Sequence, residues 1–342
     1  MNRFARLILP CLAISSLIGG VSDASPDAEA ILRKSYSAES QARYTGRLTT
    51  ELVREAGLSA KADVTIQRSG GMSRMEYVTG PSAGTVIIDD GRSMTRLDAS
   101  SRTAYISETP DAPEQIDLLL SNYQPVLAGD AKIAGRQCYV VKLTPKCACN
   151  PSEKLWIDKV SSVALKTEKY GSDGKITSST EYRSVDYSAR PAASAFRVPS
   201  GWKTVKLAGA SAVGLEAVRK AVGFTPKKPG YVPNGYRFDD YYVRGTPRCT
   251  LFAGLRYTNG MNTISVFERK GGCFGPGFGR GRGRGRGAQC GRGGCPWTGP
   301  GCHLLVNNPQ ARIVHTTVGD LTVLVVGDIA LTELQKMAGS FK

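Results

Sequence analysis

Histidine is almost missing from this chain: His303 and His315 are the only two in 342 residues. Chemistry that uses imidazole as general base, nucleophile partner or metal ligand is therefore short of candidates. Cys302 and His303 are adjacent, but neighbours in sequence rarely face each other, so a structural role is the expectation for both. A paired C-x-x-C framework is also lacking. Cys290, Cys295, Cys302 and His303 are the one set that could suggest zinc, and their spacings fit no such pattern. No strand leads through a glycine turn into a helix: "GRGRGRG" has glycine at alternate positions and nothing of a phosphate loop around it. Beyond the first twenty residues no apolar run approaches the roughly twenty residues that span a bilayer, since Leu321 to Val326 is only a short strand. These absences argue against a histidine-dependent enzyme, a nucleotide-binding enzyme and an integral membrane protein. No cofactor and no metal are indicated, and the expectation is a protein without enzymatic activity.

What is present begins with a leader. Arg3 and Arg6 precede an apolar stretch from Leu7 to Ile18, and Ser22-Asp23-Ala24 offers small residues at a cleavage site. Residues 1–24 read as a secretory signal peptide, with Cys11 inside its apolar part and no small residue before it of the kind a lipoprotein signal carries. The expected destination is the periplasm, as a soluble protein. Lysine and arginine number 45 against 29 acidic residues, a net charge of +16. Arg280, Arg282, Arg284, Arg286 and Arg292 lie in "GFGRGRGRGRGAQCGRGGCPW", which resembles an RNA-binding tract in composition. An exported protein meets no RNA, so no nucleic acid is expected as partner. A cationic loop facing an anionic membrane surface or an acidic protein segment suits the charge better.

Eight cysteines remain after the leader: Cys138, Cys147, Cys149, Cys249, Cys273, Cys290, Cys295 and Cys302. An even number in an oxidising compartment points to disulfides. Candidates are a bridge within "CAC" or from Cys138 to its hairpin neighbours, and two bridges among Cys273, Cys290, Cys295 and Cys302. Three thiols precede residue 205 and five follow it, so full pairing would need a bridge between the two parts. Cys147-Ala148-Cys149 can also be considered as a redox pair, although an oxidoreductase usually separates its cysteines by two residues beside a helix start.

The pattern of elements divides the chain near residue 205, giving residues 25–204 and 205–342 as domains, with a Gly/Arg/Cys-rich insertion at 271–302. In the first, Ser25-Pro26 reads as the start of a helix that carries Ala28, Ile31, Leu32, Ala38 and Ala42, followed by many short one-sided strands, with a helical stretch at 112–122. Asp90-Gly91 and Asp173-Gly174 mark turns between them. So many antiparallel strands must curl around something, which makes a cavity for long-chain amphiphiles an expectation. In the second, Ser211 caps a short helix with a Glu216–Lys220 pair, Asn259-Gly260 joins a hairpin, Gly319-Asp320 a second, and Leu331, Leu334, Met337 and Phe341 face inward from a last helix. Asp239-Asp240 reads as a solvated turn. The fold class is α+β: a curved antiparallel half-barrel with helices, then a smaller α/β domain of hairpins and helices.

Several stretches carry a family resemblance: "ARYTG" after the first helix, "LWID" within the meander, and "LRYTNGMNTISVFE" and "GDLTVLVVGDIALTELQKMAGSF" in the second part. With them the chain resembles the MucB/RseB family of periplasmic regulators of envelope-stress sigma factors. The resemblance implies a first domain like the lipoprotein carriers LolA and LolB, with a cavity for lipid or lipoprotein acyl chains. It also implies a second domain that helps to hold an anti-sigma factor or another envelope protein. The arginine-glycine insertion and the dense cysteines depart from the family pattern. A lipoprotein carrier is the alternative, which would need only the half-barrel, and the sequence names no residue that touches a ligand.

Overall fold

The structure is a computed structural model and describes residues 27–53, 59–108, 116–206, 214–244, 251–271 and 312–342. Its first unit opens with helix α1 (Ala28–Gln41). Asp27, not Ser25, is the N-cap: its carboxylate accepts from the Glu29 amide at 3.1 Å, satisfying a donor that the first turn leaves unpaired. Glu29 and Arg33 pair one turn apart at 2.9 Å. Six strands follow as a meander: β1 (Arg43–Val53), β2 (Ser59–Ser69), β3 (Met72–Tyr77), β4 (Val86–Asp89), β5 (Ser93–Asp98) and β6 (Thr103–Glu108). Helix α2 (Ile116–Asn122) leads into a second meander, β7 (Tyr123–Ile133), β8 (Arg136–Pro145), β9 (Ser152–Asp158), β10 (Ala164–Tyr170) and β11 (Ile176–Asp186). Pairing of β1 with β11 joins the two meanders into one sheet. After a 3-10 turn at Ala193–Phe196 the chain adds β12 (Lys203–Lys206) alongside β6, in parallel, so the order is β12-β6-β5-β4-β3-β2-β1-β11-β10-β9-β8-β7. Among the described residues this is a large curved antiparallel sheet with one parallel edge.

The sheet curls most tightly at the β7 side, where β7 approaches β11 although three strands lie between them. Alternation places Cys138 and Val140 of β8 on one face and Val141 and Leu143 on the other. The first face, inside the curl, packs with Tyr44, Leu48, Val64, Ile66, Trp156, Leu165 and Tyr182. The Tyr44 and Tyr182 hydroxyls share a hydrogen bond of 2.7 Å, which satisfies both polar tips in an otherwise apolar interior. The second face of β7–β9 lies under the helices, where Leu32 and Leu119, both fully buried, meet Tyr123, Val141, Leu143 and Ile157. Burying one such leucine is worth about 2 kcal/mol.

The second unit holds helix α3 (Gly214–Val222) and a five-stranded sheet of β13 (Arg237–Arg244), β14 (Phe252–Thr258), β15 (Thr263–Lys270), β16 (Arg312–Val318) and β17 (Leu321–Gly327), closed by helix α4 (Leu331–Gly339). The order is β13-β14-β15-β17-β16. All of β17 is buried because both sheet faces are covered: Val323 and Val325 meet Leu334, Met337 and Phe341, while Leu324 and Val326 meet Tyr242, Phe252 and Phe267. In α3 the ion pair is Glu216 with Arg219 at 2.8 Å, not with Lys220, since positions three apart also share a face. Asp239-Asp240 is no turn. It lies in β13 at a register shift, where Asp239 pairs with Arg256 of β14. β15 and β16 both pair antiparallel with β17, Lys270 standing opposite Leu321 and Arg312 opposite Gly327. The segment between them therefore joins opposite ends of β17.

Candidate functional site

Two places in the described residues combine apolar surface with directed polar groups. The first is the continuation of the inner sheet face from the buried curl onto β3–β6. Ile66 of β2 stands opposite Met75, Met75 opposite Ile87, Ile87 opposite Arg96 and Arg96 opposite Tyr105. Residues directly opposite share a face, so this is one row across five strands. Ile66 is buried, whereas Met75, Ile87, Arg96 and Tyr105 are half-buried, and Met94 in the neighbouring row is 37% exposed. The Arg96 guanidinium lies 5.1 Å from the Tyr105 ring centroid, an arrangement that keeps the cation desolvated on one side. On the reverse face, Ile88, Leu97 and Ala104 are closed off by Phe196 of the 3-10 turn. With the reverse face covered, this row is a half-buried apolar strip on the inner face, here called the trough, with the Arg96 cation beside Tyr105 towards its β6 end. Its chemistry suits an amphiphile: methylene groups on methionine and isoleucine, an anionic head on arginine.

The second place is the junction of the two units. The loop between β14 and β15 spans Asn259–Asn262, since Thr258 pairs with Thr263, and it is longer than the two-residue Asn259-Gly260 turn that the sequence suggests. The Asn259 side chain accepts from the Met261 and Asn262 amides at 3.0 and 2.8 Å, which fixes the loop internally. Its tip enters the first unit. Gly260 has φ +91°, and a Cβ there would stand 2.3 Å from the Leu119 amide nitrogen, so close approach as well as conformation demands glycine. Asn122 donates to the carbonyls of Gly235 at 3.0 Å and Asn259 at 3.1 Å. The Tyr123 hydroxyl accepts from Asn259 at 3.1 Å and Asn262 at 3.3 Å. Met261 packs beside Leu119 and Ile157.

Carboxylates nearby feel this burial. Burial raises the Glu153 and Asp328 carboxyls above their usual range, with the Lys169 charge acting against it in both and Arg312 also in Asp328. Burial likewise pushes the Tyr123 hydroxyl up to about 12.

Cys147 and Cys149 are joined as a disulfide. Cys138 is a correction to the sequence reading: it is a free, fully buried thiol in β8, and burial pushes it up to about 11, so it acts as a small apolar side chain. Cys249, Cys273, Cys290, Cys295 and Cys302, and Arg280, Arg282, Arg284, Arg286 and Arg292, lie outside the described residues, as do residues 1–26 and Ser211. The sequence leads to the expectation of an amphiphile cavity in the first domain but identifies no residue of this row, and it does not point to the junction. Asn259-Gly260 was the one available signal, and it was legible only as a turn. Among the described residues no helix is long and apolar enough to cross a membrane, and no group of histidine, cysteine and acidic side chains could hold a metal ion.

The family model for the MucB/RseB N-terminal domain matches residues 27–200. No curated protein sequence matches the chain. Among solved structures, the MucA/MucB complex of Pseudomonas aeruginosa is 18% identical with a TM-score of 0.60, over 93% of this chain and 99% of that one. A crystal structure of MucB in complex with MucA(peri) is 19% identical with a TM-score of 0.59, over 92% and 98%. MucB alone is 17% identical with a TM-score of 0.56, over 93% and 98%. At these identities the likeness carries the fold, which extends through both units.

Proposed function

Because the chain belongs to the MucB/RseB family, we propose that it is a non-enzymatic periplasmic regulator of envelope-stress signalling that binds the periplasmic part of an anti-sigma factor. The observation that carries this reading is the likeness to MucB over both units, in a protein that has been crystallised with MucA. A net charge of +16 favours an acidic peptide partner or an anionic membrane surface by long-range attraction. Lipid or lipoprotein is the input in this reading, with the acyl chain lying along Met75 and Ile87 and the head group at Arg96. The junction at Asn122, Tyr123 and Asn259 supplies the route by which occupancy of the first unit would alter the second, because both units contribute side chains to it. A carrier of LolA type is less favoured, since a carrier has no use for a second unit docked through buried hydrogen bonds.

Titration of the full chain with a fluorescent acyl probe, and separately with a labelled periplasmic peptide of a cognate anti-sigma factor, tests both halves. Wild type is expected to saturate with each, and the probe to displace the peptide. Ile87→Glu puts a charge in the trough and should weaken probe binding at least about tenfold while leaving peptide affinity intact. Peptide binding without probe binding would remove the lipid input and keep the regulator. Probe binding without peptide binding would favour the carrier.

A further inference from the structure

The Cys147–Cys149 disulfide stands outside that reading, and we propose that it is a reversible redox site, reduced by a dithiol, whose opening loosens the hold of the first unit on α4 and the Asn234 loop of the second. The bridge sits where the first unit meets the second. The bridge closes the turn between β8 and β9, and this turn touches the second unit directly: the Cys149 carbonyl accepts from the Ala330 amide at the start of α4 at 3.4 Å. The next residue, Asn150, is buried and donates from its side-chain amide to the Asn234 carbonyl, also at 3.4 Å. The Asn150 Oδ1 is buried without a protein partner, so the turn holds a polar group in place that it does not itself satisfy.

The strands and the flanks of the turn are held without the bridge, so its opening acts on Cys147–Cys149 and the Cys149 carbonyl rather than on the hairpin as a whole. β8 and β9 are already paired up to Leu143 and Glu153. The Lys146 amide donates to the Asn122 carbonyl at 2.9 Å, and its ammonium to the carbonyls of Leu120 and Ser121 at 3.1 and 2.9 Å. The Asn150 amide closes the turn onto the Cys147 carbonyl at 3.0 Å. A cross-link over a single intervening residue restricts the unfolded chain very little, since its effect grows with loop length. Cys147 and Cys149 are half-buried, whereas Cys138 is fully enclosed, so among the described residues only the bridge is open to an attacking thiolate.

The reaction is ordinary exchange. One thiolate of the dithiol attacks one sulfur of the bridge, forming a mixed disulfide as the Cys147–Cys149 bond breaks, and the departing cysteine thiolate takes a proton. The second thiol of the reductant loses its proton and displaces the remaining cysteine as a thiolate, which is protonated in turn. Two cysteine thiols result, and the dithiol leaves as a disulfide, two electrons having moved. With the ring open, Cys147 and Cys149 separate and the Cys149 carbonyl is no longer fixed against Ala330. The inference does not depend on which partner or ligand the protein binds.

The test uses the full chain, wild type and Cys147→Ser/Cys149→Ser, with and without dithiothreitol. Alkylation and peptide mass spectrometry read the state of each cysteine, and hydrogen exchange reads the amides at the start of α4 and around Asn234. In wild type, Cys147 and Cys149 should label at reductant levels that leave Cys138 unlabelled, and exchange at Ala330 should rise about tenfold. The double serine variant should show the fast rate in either condition, which separates this bridge from the cysteines of the insertion. Should that variant fail to fold by circular dichroism, wild type reduced only to the level at which Cys147 and Cys149 label, with no further label at Cys249, Cys273, Cys290, Cys295 or Cys302, carries the same reading. Unchanged exchange on reduction, or a serine variant that exchanges as slowly as oxidised wild type, would overturn the proposal.

Discussion

Glu268 gives the second unit a pH dependence that can be worked through. It lies on β15 between Ala253 of β14 and Val323 of β17, and is fully buried. Both its oxygens accept from the Lys227 amide, at 3.1 and 2.9 Å, which does not compensate the loss of water, so burial pushes its carboxyl up to about 7. In the unfolded chain the same group titrates near its ordinary value of 4.5. Between those values the native state binds more proton than the unfolded state, and stability must fall as pH rises. The contribution is whole below about pH 4.5 and is lost through about pH 7. From pH 5.5 to pH 8.0 these two values give a loss of about 2 kcal/mol, roughly a thirtyfold change in the folding equilibrium. Glu268→Gln keeps an acceptor for the Lys227 amide and cannot ionise. Urea unfolding of both proteins at the two pH values should show wild type losing about 2 kcal/mol more than the variant on going to pH 8.0. Taking the difference between proteins cancels the other titrating groups, including Glu153 and Asp328. Parallel pH profiles for the two proteins would refute the assignment of a raised carboxyl at this position.

Three further outcomes are expected. Gly260→Ala meets both a left-handed backbone and the Leu119 amide, and should cost about 1–3 kcal/mol by denaturant midpoint, with faster hydrogen exchange in α2 than in the curl of the first sheet. Leu32→Ala leaves a cavity between α1 and β8 and should cost about 2–5 kcal/mol in thermal or urea unfolding; a loss under 1 kcal/mol would mean that the helix is not packed as described. Replacing residues 277–288 with a neutral Gly/Ser linker of equal length should leave thermal unfolding unchanged and weaken binding to anionic vesicles at low salt, the difference vanishing at high salt. Unfolding of the second unit in that variant would show the tract to be part of the fold.

The sequence carried the architecture further than it carried the sites. Alternation along "RQCYVVKLTPK" and "LTVLVVGD" marks strands because a strand with one buried face must repeat every two residues. The same rule hides which face stays open: Met94 and Leu97 are both apolar in β5, yet Leu97 is buried under Phe196 and Met94 is exposed, a distinction made by elements distant in sequence. β7 and β13 have no clear strand pattern in the sequence. β7 contains Pro125, Gly129 and a register shift, and β13 carries two adjacent aspartates, features that read as turn until a partner strand supplies hydrogen bonds and an arginine. The parallel edge formed by β12 depends on where the chain returns after β11, which no local pattern encodes. Asn259 and Gly260 were seen for the backbone geometry they permit, and their contacts with Tyr123 and Leu119 arise only once the two units meet.

The placement of β15 and β16 on either side of β17 sets a rule for how this protein can vary. Because Lys270 and Arg312 sit at opposite ends of β17, six residue steps apart by the register, any connection must reach along the whole strand, about 20 Å. A tight turn cannot replace it, and a fully stretched chain would already need about six or seven residues for the straight distance alone. Residues 271–311 far exceed that minimum. Below it the strand order itself would have to change, which would dismantle β16. Above it, length and composition are unconstrained by topology, because loop closure costs rise only slowly with length. The pairing of β15 and β16 with β17 therefore sets a lower bound on the connection and leaves the number of its arginines, glycines and cysteines free.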